Sequence, residues 1–373
     1  LALRATGGKL ARSTGGLSIM GVPEPVRRLP LSHITQGSAI MKRALLIAAG
    51  VFLAVLVIGA AAKSRADAAY FSAYNAAAPF NTQVREVAEV ASKSLPVSYQ
   101  LINFTFDGVN GEDVPTLMTF PSPMPAERVP VIIFLHGIGQ NKNFLKEITA
   151  PFNATGFAFV SFDQYMQGER KLPKDASMLA QVRAFRQRPS KTINETRRLV
   201  DYLMTHPQVD PQRVYLVGAS YGAITGSTVL SFDKRIRAGV LVYGGGNIPK
   251  MLDAPLIRKE AGSLTVTLLK PVASYILKPA DPINYVRGIS PTPVYFQNGK
   301  HDQLVSVPSS EALIAAAGEP KKVTWYESDH IGLDIENTKQ VLRDALQWLL
   351  EQDDSFRTPE QKVKELPPFE VES

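Results

Sequence analysis

Short apolar runs alternate with helical stretches along the chain after Pro96. Several of the runs are almost wholly apolar, which is typical of strands that helices cover on both faces. The pattern predicts strands at residues 98–106, 114–120, 130–135, 157–162, 213–218, 238–243, 293–298 and 322–327. Helices are predicted between them, at about residues 143–152, 190–206, 221–230, 308–317 and 336–351. This alternation predicts an α/β fold with a mostly parallel sheet, whose first two strands, joined without room for a helix, form an antiparallel edge.

The N-terminal part of the chain has a different pattern. Residues 44–62 are apolar or small and carry no charge, and a helix of that length spans about 28 Å, close to one hydrocarbon core. One interpretation is a transmembrane anchor with the basic arm on the cytoplasmic side. The other is a signal peptide, because Ala60–Ala62 and Ala66–Ala68 both fit small-residue cleavage sites. Both predict export: a protein anchored in the membrane and facing outside the cytoplasm, or a periplasmic or secreted one after cleavage.

The remaining segments are predicted to surround one domain. Residues 1–43 form a basic arm, either disordered or upstream of the native start, and Ala-rich residues 63–94 form a helical stalk or linker. The α/β domain covers residues 95–351. The polar tail, 352–373, is predicted to be loose.

Composition and charge narrow the possible functions. The sequence has 373 residues, of which 45% are hydrophobic and 20% charged, and it contains no cysteine, which excludes disulfides, thiolate metal sites and cysteine nucleophiles. The net charge of +7 suggests nucleic acid or an anionic membrane as partner, but residues 1–43 hold seven basic residues and one acidic residue, and thus +6 of it. The nearly neutral body predicts no nucleic-acid partner. No metal cluster, P-loop or dinucleotide fingerprint occurs in the sequence, so neither a metal nor a cofactor is expected.

A candidate nucleophile follows the apolar strand at 213–218. The sequence Gly218-Ala219-Ser220-Tyr221-Gly222 is a G-x-S-x-G motif between a strand and a helical run. In such a turn the central residue is strained, and a side chain at either flanking glycine would collide with neighbouring backbone. The turn raises the Ser220 hydroxyl above the sheet and directs the N–H of Tyr221, at a helix N-terminus, toward a developing oxyanion.

The serine needs a base and an acid that orients it. The chain has five histidines, namely His33, His136, His206, His301 and His330. His330 follows the last strand and Asp302 follows the strand before it, so both are predicted at the edge of the sheet where the strands carry their carboxyl ends. The order Ser220, Asp302, His330 matches that of a hydrolase triad, in which the acid holds the base in the tautomer that accepts the serine proton. Asp329 and Asp334 are alternative acids, and His206 is predicted to be solvated.

A second oxyanion donor is predicted after the strand at 130–135. The sequence His136-Gly137-Ile138-Gly139 lets the backbone approach a substrate, so the N–H of Ile138, or that of Gly137, is expected to point inward. His136 is predicted to brace this loop rather than to transfer protons.

With these motifs the chain resembles the α/β-hydrolase superfamily over roughly residues 95–351. The runs LHGIGQNK, GASYGA, NGKHDQLV and SDHIG are most similar to the branch of dienelactone-hydrolase-like esterases and prolyl-oligopeptidase-type catalytic domains. The resemblance implies an eight-stranded, mostly parallel sheet and cofactor-free acyl transfer to water through an acyl-enzyme. Dienelactone hydrolases proper use a cysteine nucleophile, so their substrate is not carried over to Ser220. The prolyl-oligopeptidase type carries a propeller upstream, for which the roughly thirty residues between the apolar segment and the first strand leave no room.

Two long connections interrupt the predicted alternation. Residues 244–292, between the sixth and seventh strands, predict a small helical cap over an acyl or alcohol pocket, with extra packing or membrane contact as the alternatives. Residues 163–191 carry Arg183, Arg186, Arg188 and Lys191, for which a solvated face is predicted, with binding of an anionic substrate as the alternative.

The sequence thus predicts a serine esterase that cleaves carboxylic esters of small molecules. A peptidase or amidase and a thioesterase use the same triad and remain alternatives. A non-catalytic binding protein of the same fold is the alternative from another class, although it has no need of all the residues of the motif and the triad.

Overall fold

The computed structural model describes residues 32–369, without the side chains of residues 32–46, 48 and 49. The described chain divides between Ala62 and Lys63 into two compact units. The predicted apolar segment 44–62 lies in helix α1 (Ser32–Ala68). Within the described part of the chain, no helix combines the length and the apolar character that crossing a membrane requires. The signal peptide and export stay predictions, and residues 1–31 of the basic arm lie outside the described residues.

One sheet organises the second unit. In the part of the chain that the structure describes, it has nine strands in the order β1-β2-β3-β5-β4-β6-β7-β8-β9. The first three strands and the β3–β5 pair are antiparallel, and all other pairs are parallel. The strands are β1 (Gln83–Ala91), β2 (Ser98–Asp107), β3 (Asp113–Ser122), β4 (Val129–Leu135), β5 (Ala158–Phe162), β6 (Val209–Ala219), β7 (Ile236–Val242), β8 (Val294–Gly299) and β9 (Lys321–Tyr326).

All eight predicted strands are present, and β1 is an addition to them. It lies in the predicted helical stalk, 63–94, so the stalk prediction is wrong beyond Ala68, where α1 ends. The segment is rich in Ala, Glu and Val, and most of its side chains are exposed, so no buried face appears in its pattern. Its hydrogen-bond ladder with β2, from Gln83 opposite Thr105 to Ala91 opposite Ser98, makes it an edge strand.

Helices pack on both faces of the sheet, as alternate side chains of β4 show. Ile133 and Leu135 belong to one core cluster, with apolar residues of α3, α4 and α8, whereas Ile132 and Phe134 belong to another, with residues of α2 and α9. Both clusters are buried because the central strands are apolar on both faces. The helices are α2 (Leu145–Ala154), α3 (Met178–Thr205), α4 (Tyr221–Phe232), α5 (Ile248–Met251), α6 (Pro255–Ala261), α7 (Ser263–Leu277), α8 (Val307–Ala316) and α9 (Ile335–Asp353). Helices α5, α6 and α7 lie in the predicted cap, 244–292.

Helix α3 begins twelve residues before the prediction, which changes the environment of its charged residues. Arg183 is exposed, but Arg188 and Lys191 are buried, so the prediction of a solvated face is wrong for these two. Their spacing of three residues places both on the inward face of the long helix, where Lys191 pairs with Glu112.

The C-terminal segment also packs on the domain, in contrast to the predicted loose tail. Phe369 is buried, and its ring lies edge-on to Phe152 at 5.6 Å. At the end of α9, the buried carboxylate of Asp353 accepts hydrogen bonds from Arg213 at 2.6 and 2.8 Å and from Arg357 at 2.6 Å. The segment is therefore held by a hydrogen-bonded, desolvated ion cluster.

Removal of the Asp353 carboxylate is expected to destabilise the fold strongly. In Asp353→Ala the guanidinium groups of Arg213 and Arg357 lose their counterion, which costs about 3–5 kcal/mol for a buried pair. Urea unfolding followed by circular dichroism measures the free energy of unfolding. Asp354→Ala, one residue on, breaks only the exposed pair with Lys362 and is expected to cost less than about 1 kcal/mol. Equal losses in the two variants would contradict the prediction.

Candidate active site

Ser220 stands at a sharp turn between β6 and α4. Its backbone has φ 54° and ψ −116°, a conformation that L residues rarely adopt. A Cβ atom at Gly218 would overlap the carbonyl group of Gly222, and one at Gly222 would overlap the carbonyl oxygen of Leu135. Both predicted collisions are therefore present, and they explain why glycine is needed two positions before and after the serine.

Ser220, His330 and Asp302 form a continuous hydrogen-bonded row. The Nε2 atom of His330 lies 2.9 Å from the Ser220 hydroxyl oxygen, and its Nδ1 atom lies 2.8 Å from Oδ2 of Asp302. The ring and the carboxylate are both buried. When Nδ1 carries the proton and donates it to Asp302, Nε2 is left as the acceptor for the serine hydroxyl. The structure thus brings together the three residues that the sequence singles out.

The loop after β8 fixes the orientation of Asp302. Its Oδ1 atom accepts hydrogen bonds from the backbone N–H groups of Leu304 and Val305, each at 2.8 Å. Because one carboxylate oxygen is held in this way, the other faces His330. The Asp302 side chain cannot turn away without losing two backbone hydrogen bonds.

The two alternative acids have structural positions instead. Oδ1 of Asp329 accepts from the backbone N–H of Gln303 at 2.8 Å and from that of His330 at 2.7 Å, and so ties the loop after β8 to the loop after β9. Asp334 caps α9, because its Oδ1 atom accepts from the N–H groups of Glu336 and Asn337. Neither carboxylate is hydrogen-bonded to the imidazole.

Tyr243, which is not among the residues that the sequence singles out, packs against His330. Its ring lies edge-on to that of His330 at 5.9 Å, and its hydroxyl is hydrogen-bonded to Ser328 at 2.6 Å and to Asn337 at 3.0 Å. Its backbone has φ 55°. The sequence feature that could have identified Tyr243 is its position directly after the apolar strand β7, at the same sheet edge as Ser220.

The loop after β4 contains the predicted second oxyanion donor. The N–H of Gly137 donates to Oε1 of Gln140 at 3.0 Å, and that of Gly139 donates to Oε1 of Gln167 at 2.8 Å. Between them, the N–H of Ile138 makes no hydrogen bond to another described residue, and neither does the N–H of Tyr221 at the start of α4. Of the two predicted alternatives, Ile138 rather than Gly137 therefore has a free donor.

The other histidines lie outside this row. His136 is fully buried, its Nδ1 atom lies 3.0 Å from the carbonyl oxygen of Gly137, and burial lowers its pKa. His206 stacks on Phe120 at 5.4 Å and burial lowers its pKa, so the prediction that it is solvated is wrong. His301 is exposed beside Glu327, and the side chain of His33 lies outside the described residues.

Arg188 packs against Tyr221, the residue after Ser220. Its guanidinium carbon lies 4.4 Å from the centre of the Tyr221 ring, within the range of a cation–π contact. Burial raises the pKa of Tyr221 to about 12, so its hydroxyl stays neutral. The pair fixes the side chain of the residue whose N–H stands beside Ser220.

A cavity of about 460 Å³ opens at Ser220 and His330. Its walls include the ends of β4, β6 and β7, the first turns of α9, and Met251 and Ile257 of the predicted cap. The row of hydrogen-bonded side chains therefore lies at the surface of a space that can receive a small molecule. Among residues 32–369, apart from the side chains left out, no group of acidic or histidine residues could hold a metal ion.

Comparisons with known proteins agree with this architecture. Residues 116–332, more than half of the chain, match the model of the dienelactone hydrolase family. The chain belongs to this family. Membership confirms the resemblance to the dienelactone-hydrolase-like branch of the α/β hydrolases.

A curated relative and two solved structures give the range of similarity. The uncharacterized protein YfhR of Salmonella typhi is 28% identical over 165 residues, which are 41% of this chain and 52% of that protein, so the match spans about half the relative's length. The acetyl xylan esterase of Paenibacillus sp. R4 is 17% identical, with a TM-score of 0.61 over 76% of this chain and 93% of its own. Acetyl xylan esterase 1 of Thermoanaerobacterium sp. JW/SL YS485 is 18% identical, with a TM-score of 0.59 over 78% and 93%. At these identities the two structures show a shared α/β-hydrolase fold.

Proposed function

We propose that the protein is a serine esterase that hydrolyses carboxylic esters through an acyl-enzyme on Ser220. The observation that carries the proposal is the row Ser220–His330–Asp302, with hydrogen bonds of 2.9 and 2.8 Å at the mouth of the cavity. A serine hydroxyl is a weak nucleophile without a base that accepts its proton, and a positioned imidazole is such a base. The strained turn at Ser220 further supports the proposal, since backbone strain of this kind collects at functional sites.

In the first half of the reaction, Ser220 Oγ forms a bond to the acyl carbon and its proton passes to Nε2 of His330. The tetrahedral intermediate then collapses, the bond to the alcohol oxygen breaks, and His330 returns the proton to that oxygen. In the second half, water gives a proton to His330 while its oxygen bonds to the acyl carbon. Collapse breaks the bond to Ser220 Oγ, which takes the proton back, and the free acid leaves. Asp302 stabilises the imidazolium in both halves without accepting the proton.

The free N–H groups of Ile138 and Tyr221 are proposed to hold the oxyanion of both intermediates. Neither N–H has a hydrogen-bond partner among the described residues, and both residues line the cavity with Ser220, one on the loop after β4 and one at a helix N-terminus. Donors positioned before the reaction stabilise the charge as it develops, because they need no rearrangement.

Replacement of Ile138 separates the backbone donor from the side chain. The Ile138→Pro variant lacks the N–H, and kcat is expected to fall about 10²- to 10³-fold, as for the loss of one oxyanion donor. The Ile138→Ala variant keeps the N–H and shortens a side chain that is 65% exposed, so it is expected to remain within a few-fold of the original kcat. Both are assayed with a chromogenic ester, and thermal unfolding checks that the proline variant is folded. Equal kcat values in the two folded variants would exclude this donor.

Amides, thioesters and esters assayed side by side test the reaction class. The full chain is incubated with an alkyl ester, the matching thioester and the matching anilide, and initial rates are compared with those of Ser220→Ala. Ester hydrolysis that depends on Ser220 supports the proposal. Faster Ser220-dependent cleavage of the anilide or of the thioester would favour the peptidase or thioesterase alternative, and no Ser220-dependent hydrolysis of any compound would favour a binding protein.

A further inference from the structure

The cavity beside Ser220 has an apolar wall. Its inner part is made by the strand ends Phe134, Val217 and Val242, and by Val341 and Leu342 of α9, all of them buried. Transfer of a hydrocarbon group from water to a cavity wall of aliphatic and aromatic side chains lowers the free energy. The wall therefore favours an alkyl group over a sugar or a charged group.

Two polar side chains of the cavity wall, outside the row of Ser220 and His330, accept or donate hydrogen bonds within the protein. Oε1 of Gln140 accepts the N–H of Gly137 at 3.0 Å. Oγ1 of Thr338 donates to the carbonyl oxygen of Asp334 at 2.7 Å and accepts the N–H of Gly332 at 3.2 Å. Among the described residues that line the cavity, none is Asp, Glu, Lys or Arg. A substrate with a carboxylate in this cavity would lose its hydration without gaining an ion pair, which is unfavourable.

The mouth of the cavity is apolar as well. Leu333, on the loop after His330, is 73% exposed, and Leu304, on the loop after Asp302, is 39% exposed. Both line the cavity, as does Ile257 of α6 in the cap. Exposed apolar side chains around a binding site mark the surface that an apolar ligand covers.

We propose that the site takes uncharged esters whose acyl part is an aliphatic chain longer than acetyl, an inference that rests on the proposed esterase function. The acyl group, not the alcohol, is assigned to the cavity for a mechanistic reason. It stays bonded to Ser220 through both halves of the reaction and needs an enclosed place, whereas the alcohol leaves to solvent after the first half.

The rate constant kcat/KM is expected to rise with acyl length until the cavity is filled. Each methylene that leaves water for the apolar wall contributes about a fourfold increase. The full chain is assayed with the p-nitrophenyl esters of acetic, butanoic, octanoic and hexadecanoic acids. The inference predicts that kcat/KM increases from acetate to octanoate and falls again at hexadecanoate. A maximum at acetate would overturn it.

A pair of methyl esters separates the choice of acyl chain from the choice of alcohol and from charge. Methyl hexanoate and monomethyl adipate have the same acyl length, but the second ends in a carboxylate, and pH-stat titration measures both without a chromophore. The original enzyme is expected to prefer hexanoate by about tenfold or more. Hexyl acetate, which moves the chain to the alcohol, is expected to be slower than methyl hexanoate. Preference for adipate or for hexyl acetate would contradict the inference.

Substitutions in the cap complete the test. Ile257→Arg places a cation at the lining, and it is expected to reduce the preference for hexanoate over adipate by at least about tenfold, because the carboxylate then finds a counterion. The neighbouring Leu256 does not line the cavity, so Leu256→Arg is the matched control and is expected to keep the original preference. If the two variants had the same preference for hexanoate over adipate, the cap would not contribute to the acyl site. Absence of hydrolysis for every ester would refute the esterase function itself, whereas hydrolysis with the opposite preferences would refute only the substrate class.

Discussion

Replacement of Ser220 by alanine is expected to lower kcat for ester hydrolysis by about 10⁶-fold, which leaves only the enhancement of about 10³- to 10⁴-fold over the uncatalysed reaction that binding and the oxyanion donors supply. The variant keeps the Cβ atom at the strained turn, so the row of His330 and Asp302 and the surrounding backbone stay in place. A chromogenic ester of butanoic acid measures the rate, and a burst of p-nitrophenol in the original enzyme, absent in the variant, reports the acyl-enzyme.

Ser227→Ala is the matched control for this substitution. Ser227 lies on the same helix as Tyr221, and its hydroxyl donates to the carbonyl oxygen of Ile224 at 2.8 Å, away from the imidazole. Its removal is expected to change kcat by less than about threefold, because this hydroxyl does not line the cavity. The lost hydrogen bond is expected to lower the free energy of unfolding by only about 1 kcal/mol. Substantial ester hydrolysis by a folded Ser220→Ala variant would show that another group attacks the substrate.

The sequence alone could predict the parts of the site that depend on local rules. The turn at Ser220 requires glycine two residues away on either side, and that requirement is visible as a motif. Asp302 and His330 could be selected because parallel strands bring their carboxyl ends to one edge, so residues distant in the chain become neighbours. The strands themselves are apolar enough to be read directly from the pattern.

Features that depend on tertiary partners could not be read in this way. Strand β1 owes its conformation to the ladder with β2, not to its own Ala- and Glu-containing sequence. In the sequence, Arg188 is indistinguishable from neighbouring surface charges. Its burial depends on the earlier start of α3 and on the ring of Tyr221, and neither is visible in the pattern. Which of Asp302 and Asp329 is hydrogen-bonded to the imidazole depends on the backbone N–H groups that each carboxylate accepts, and these are set by the tertiary structure.

The same backbone contacts link stability to catalysis at this edge of the sheet. Asp329 joins the loops after β8 and β9, and Asp302 is held by the loop after β8, so the distance between Asp302 and His330 is set by hydrogen bonds to backbone. A relay built in this way is preorganised, because no side chain has to search for its partner during the reaction. It also predicts different effects for two chemically identical substitutions.

Asp302→Asn is expected to lower kcat by about 10⁴-fold, whereas Asp329→Asn is expected to stay within about tenfold of the original enzyme. In the first variant, the amide oxygen keeps the place of Oδ1 on the N–H groups of Leu304 and Val305, so the amide NH₂ faces Nδ1 of His330. The imidazole then carries its proton on Nε2 and cannot accept the one from Ser220. In the second variant, the amide oxygen accepts the two backbone hydrogen bonds that Oδ1 of Asp329 accepts now, and the imidazole keeps its tautomer.

Two measurements distinguish this account from a general loss of structure in the Asp302→Asn variant. Nitrogen NMR of labelled histidine reports which ring nitrogen carries the proton, and it should show the Nε2–H tautomer in Asp302→Asn and the Nδ1–H tautomer in Asp329→Asn. Kinetics should show the loss in kcat with little change in KM, since neither carboxylate lines the cavity. If Asp329→Asn caused the larger loss, Asp329 would be the acid of the relay. If both variants lost activity equally with unchanged tautomers, the two carboxylates would act only by holding the loops together.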